Sequence, residues 1–132
     1  NVLFRDGDLK TVLMDSVSYI TDDNRGDIVI SGSHGGTSSA RYALEAQAGA
    51  VFFNDAGGGK NNAGIRGLDQ LAEKNIIAIA VRHTSAEIAN AADTYRNGVI
   101  SHVNRPAQQA GVRPDCTVTE AVAVLRTYLQ QA

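Results

Sequence analysis

The chain has 132 residues, 43% hydrophobic and 20% charged, with a formal charge of −2. That is enough chain to bury one self-sufficient core, and the slightly acidic balance argues against nucleic acid or an anionic membrane as partner. One cysteine, Cys116, excludes an intrachain disulfide framework, and no run approaches the ~18 apolar residues of a membrane span.

Asp6-Gly7-Asp8 reads as a turn, so residues 1–15 form an edge hairpin or a single strand. Residues 16–24 are a brief helical or irregular link. Ile28–Ile30 is a continuous apolar strand, as parallel strands covered on both faces usually are. Residues 38–48 form a helix with Ala40, Ala43, Leu44 and Ala48 on one stripe, and Gly49 stops it. Residues 50–53 are the next strand. Residues 64–74 form a second helix, with Ile65, Leu68, Leu71 and Ala72 on one face. Residues 76–81 are a third strand.

Thr84 and Glu87 match a capping box, which predicts a helix reaching Tyr95 or Arg96. Residues 98–101 are a fourth strand. Thr117 and Glu120 form a second capping box and open a last helix to about Gln130, with Val118, Ala121, Val122, Leu125 and Leu129 as its buried stripe. This order predicts a single α/β domain over residues 1–132. It would be Rossmann-like and three-layered, with helices on both faces of a mostly parallel sheet of four to five strands. The four strands at 28–31, 50–53, 76–81 and 98–101 should all be parallel.

Chemistry concentrates where apolar strands end. The first such strand runs into Ser31-Gly32-Ser33-His34-Gly35-Gly36-Thr37-Ser38-Ser39. In open α/β sheets the carboxyl edge of the strands is where ligands bind. Three glycines and five hydroxylic residues exceed what a tight turn needs. The loop can hold an anion on backbone N–H groups at a helix N-terminus. It can instead form an oxyanion hole with His34 as acid or base, or serve only as a strand-to-helix turn. The second strand runs into Asn54-Asp55-Ala56-Gly57-Gly58-Gly59-Lys60, a glycine-rich loop that fits neither the Walker A nor the dinucleotide-binding spacing. The last strand carries Ser101-His102.

The candidate catalytic residues are therefore His34, Asp55, His102 and Ser33, with Ser33 the least unsuitable nucleophile. Gly35, Gly36, Thr37, Asn54, Gly58 and Lys60 are candidate ligand-binding residues. Arg82-His83 falls at the start of the helix that Thr84 and Glu87 predict, so His83 is read as structural or exposed, and Cys116 as an inert thiol. No His or Cys spacing indicates a metal site, and no cofactor is implied. The leading expectation is a small-molecule enzyme doing hydrolytic or other acid/base chemistry on an anionic or amide- or ester-like metabolite. The alternative is a non-catalytic ligand-binding or regulatory domain that recognises a phosphate or carboxylate. A small-molecule ligand is the expected partner, a homo-oligomer is compatible with the sequence, and the lone thiol fits a cytoplasmic location.

Overall fold

The computed structural model describes residues 1–131 and shows an α/β fold around a six-stranded, mostly parallel sheet. The strands are β1 (Val2–Asp6), β2 (Leu9–Met14), β3 (Ile28–His34), β4 (Ala50–Asn54), β5 (Ile77–Val81) and β6 (Ile100–Val103). They lie side by side in chain order, β1-β2-β3-β4-β5-β6. Of the two expectations for the start, hairpin or single strand, the hairpin is the one present. β1 and β2 pair antiparallel around Gly7, whose φ of 64° suits a residue without Cβ.

β2, β3, β4 and β5 are mutually parallel. β6 is not. It pairs antiparallel with β5, Ile79 opposite Val103 and Ala80 opposite His102. The expectation of four parallel strands, and of only four to five strands in all, is corrected here. The cause lies in the connection after β5. The Thr84/Glu87 pattern does not open a helix. Glu87 donates its N–H to the Asp93 carboxylate at 2.7 Å, and the Ala86 carbonyl accepts from the Asn54 side chain at 2.9 Å. The chain turns instead, with Ala89 at φ 65°, and α3 is only Ala91–Asn97, capped by Asn90. So short a crossover returns the chain to the end of β5 it has just left, and β6 runs back down.

The other helices are α1 (Thr37–Ala46), α2 (Arg66–Ala72), α4 (Arg105–Ala110) and α5 (Val118–Gln130). α5 begins with the reciprocal Thr117/Glu120 capping box that the sequence predicts. α4 is unforeseen, opened by Asn104 and Pro106. The link before β3 holds two short 3-10 turns, Val17–Tyr19 and Asp22–Asn24.

Period-two alternation divides the core. Ile28, Ile30, Phe52, Ile77, Ile79 and Val81 pack with Ala107 and Ala110 of α4 and Val118, Val122 and Leu125 of α5. Val29, Val51, Phe53, Ala78 and Ala80 pack with Ala40 and Ala43 of α1 and Leu68 and Leu71 of α2. α5 is tied to the first hairpin by a two-pronged ion pair from Arg126 to Asp6, 2.7 and 2.8 Å, with the guanidinium 3.8 Å from the centre of the Phe4 ring. Among the described residues no helix is long and apolar enough to cross a membrane.

Candidate functional site

The carboxyl ends of β3, β4 and β5 lie level: His34 pairs with Asn54, and Asn54 with Val81. The polar residues that follow β4 and β5 meet around Asp55, which is 6% exposed. Its N–H donates to the Val81 carbonyl at 2.8 Å, which fixes the residue beside the end of β5. Its Oδ1 accepts the Gly57 N–H at 2.8 Å and the His83 N–H at 3.0 Å. The His83 Nδ1 stands 3.5 Å from the same oxygen. Burial alone would push the Asp55 pKa up. The Gly57 N–H, the Ser101 hydroxyl, the His83 N–H and the His83 imidazole outweigh it and hold the carboxyl below the ordinary aspartate value. Asp55 is thus an anion at neutral pH, suited to orient a histidine rather than to donate a proton.

The imidazole that Asp55 holds is that of His83, whose side chain is 53% exposed. The sequence reading left His83 as a helix-start residue. The available signal is that Arg82-His83 follows an apolar strand, like the residues singled out after β3 and β4. His34 is placed differently. It is exposed, and its Nδ1 accepts the Gly36 N–H at 3.2 Å, which puts its own proton on Nε2 when the ring is neutral. A Cβ on Gly36 would stand 2.7 Å from that ring.

The glycine-rich loop joins these groups. Ala56, Gly57, Gly58 and Gly59 all have positive φ, from 53° to 84°. His83 packs over Gly57, while Ala63, at the far end of the loop, lies near Gly36 and His34. A Cβ on Gly58 would meet nothing closer than 3.7 Å, so the glycine there serves backbone conformation alone. Gly58→Ala should cost about 1 kcal/mol, the penalty of a left-handed L-residue, seen as a lower urea midpoint with an unchanged slope.

Several candidates are already occupied within the fold. Asn54 is fully buried, giving its amide to Ala86 and accepting from Ala56 at 2.9 Å each. Ser33 Oγ accepts the Val17 N–H at 2.9 Å. The Gly35 N–H goes to the Asn54 carbonyl at 3.2 Å, and the Gly58 N–H to the Asp55 carbonyl at 2.8 Å. With the Gly36 N–H on His34, the glycine donors of these loops are turned inward. Thr37 is exposed in the first turn of α1, whose N-cap Gly36 supplies no side-chain cap, and Lys60 is exposed on the second loop. Among the described residues no group of three His, Cys, Asp or Glu side chains gathers as metal ligands would.

His102 stands one register step inside the end of β5, opposite Ala80, on a strand that runs back from that edge. The expectation that it follows a parallel strand is overturned with β6 itself. It nonetheless joins the cluster through its neighbour, since its Nδ1 is 2.9 Å from Ser101 Oγ. His102 also lines a cleft of about 310 Å³ with Asn62, Ile65, Arg66, Asp69 and Val103.

No family model, curated protein or solved structure matches the chain. The site must be read from its own chemistry.

Proposed function

We propose that the protein is a small-molecule enzyme that does acid/base chemistry, hydrolytic in outcome, on an anionic or amide- or ester-bearing metabolite. One observation carries this reading: a buried, ionised Asp55 holds the Nδ1 side of a solvent-facing imidazole, His83. A carboxylate in that position favours the tautomer with its proton on Nδ1 and stabilises the cation that forms when Nε2 takes a proton. His83 then acts as general base toward the water that completes the hydrolysis. Asp55 is a positioning residue. His34, presenting Nε2–H, donates a hydrogen bond to developing negative charge, and Lys60 draws an anionic substrate toward the edge.

The two apolar clusters support reading the architecture as three layers with a Rossmann-like core. Cytoplasmic residence is part of the proposal, resting on the free thiol of Cys116.

A panel of p-nitrophenyl esters, anilides and phosphate esters tests the proposal. Wild type should turn over at least one class, and His83→Ala and Asp55→Asn should each lose about 100-fold in kcat, with KM nearly unchanged. Wild-type rates in His83→Ala would overturn it.

The uncapped start of α1 favours a second reading, a domain that binds a phosphate or carboxylate at the Thr37 turn without catalysis. That reading gains if the whole panel is inert while phosphate shifts the amide resonances of residues 37–39.

A further inference from the structure

β6 carries an irregularity of one residue. Ala80 pairs with His102 and Val81 with Ile100, so Ser101 has no partner of its own across the ladder. It is the extra residue of a β-bulge, a device that bends a strand and re-aims side chains. In a regular strand Ser101 and His102 would point to opposite faces. Here the Ser101 Oγ and the His102 Nδ1 meet at 2.9 Å. The same hydroxyl donates to the Ala80 carbonyl at 3.3 Å and helps hold the Asp55 carboxyl below its ordinary pKa. Ser101 is half-buried and His102 exposed. The hydroxyl thus touches the imidazole of His102, which lines the cleft. Of that cleft's walls, Ile65, Leu68 and Val103 are apolar, while Arg66, Asp69 and Asn62 are polar. Its volume suits a compact organic molecule with one polar end.

We propose that Ser101 is the nucleophile of this site and His102 the base that takes its proton, acting on the acyl carbon of a small ester or amide seated in the cleft between α2 and β6. The proposal rests on the hydrolytic reading given above. In the first half-reaction Oγ bonds to the acyl carbon as its proton passes to His102 Nδ1. The bond from that carbon to the alkoxy oxygen or amide nitrogen then breaks, and the leaving group takes the proton from His102. In the second half-reaction water gives a proton to His83 and attacks the acyl-serine. The Oγ–carbon bond breaks, Oγ recovers that proton from His83 and the carboxylic acid departs. No oxidant, reductant or co-reactant besides water is needed. The Asp55 carboxylate, which holds His83, stabilises the imidazolium formed in the second half-reaction.

A fluorophosphonate, which phosphonylates activated serines and expels fluoride, tests the assignment on the full chain. One adduct is expected, placed on Ser101 by tandem mass spectrometry, with none on Ser101→Ala. His102→Ala should slow labelling about tenfold or more, and Ser18→Ala, at an exposed serine far from the cluster, should leave it unchanged. Because the adduct is located on the wild-type chain, the result stands even if Ser101→Ala fails to fold. An adduct on another serine, or no adduct from a protein that still hydrolyses esters with His83 dependence, would overturn the role of Ser101 and leave the proposed function standing. No adduct and no turnover of any substrate class would overturn both.

Discussion

Replacing Asn104 with alanine is expected to destabilise the protein by about 3 kcal/mol or more, because several buried polar groups lose their partners at once. Asn104 is 4% exposed and makes four side-chain bonds. Its Nδ2 donates to the Leu68 carbonyl at 3.1 Å and the Ile76 carbonyl at 2.9 Å. Its Oδ1 accepts the N–H groups of Ala78 and Ala107, both at 3.1 Å. One amide therefore joins the first turn of α2, the start of β5 and the first turn of α4. Alanine removes all four bonds and puts no water within reach of the orphaned groups. Aspartate is the sharper variant. It keeps the two acceptor bonds but turns a charged oxygen toward two carbonyls, so it should be at least as damaging as alanine. Urea unfolding at neutral pH measures both. A loss below about 1 kcal/mol for alanine, the ordinary worth of a single hydrogen bond, would show that the three elements hold together without it.

The second large effect is expected at Asp55. Asp55→Ala leaves the Gly57 and His83 N–H groups without their acceptor, at about 1–3 kcal/mol for each group that water cannot reach, and it releases the His83 ring as well. The pH dependence follows from the lowered pKa. In the unfolded chain Asp55 titrates near its ordinary value of about 3.9, and in the folded protein below it. Its ionised form therefore contributes stability that is fully present above the unfolded value and is lost as pH falls through the folded one. The difference in unfolding free energy between wild type and Asp55→Asn should shrink as pH falls below about 4. A difference that grows toward acid pH would mean that the native carboxyl is protonated, and would remove it as the anchor of His83.

Much of the framework was legible because its signals are local. β3, β4 and β5 are uninterrupted apolar runs ended by polar residues, and α5 opens with a complete capping box whose buried stripe needs no partner to be recognised. The Thr84/Glu87 pattern shows the limit of local signals. It has the same form as Thr117/Glu120, yet Asn54 and Asp93, distant or downstream, take the backbone groups a helix would have used. The direction of β6 depended on that one segment, so it was misread together with it. Asp55 stood out as a carboxylate after an apolar strand, and it directly follows β4. Its partner was not legible, because the proximity of Asp55 to His83 rather than His34 is set by the bond from its N–H to Val81, a matter of register between strands. The bulge at Ser101 lies further out of reach. Nothing in the run Val99-Ile100-Ser101-His102 marks which residue will be left without a partner, and that omission alone brings its hydroxyl to His102.

The monotonic order of the sheet has a consequence for how the chain reaches this structure. Every strand lies beside its predecessor in sequence, so each step of sheet growth closes a short loop and needs no search across the molecule. Zippering can start at β3–α1–β4 and spread both ways, leaving at each front only the next segment to add. The main exception is α5, whose Arg126 reaches Asp6 across 120 positions of chain. Its arrival covers the face formed by Ile30, Phe52 and Ile79. Without α5 that face of the sheet is only partly covered, by α4 among others.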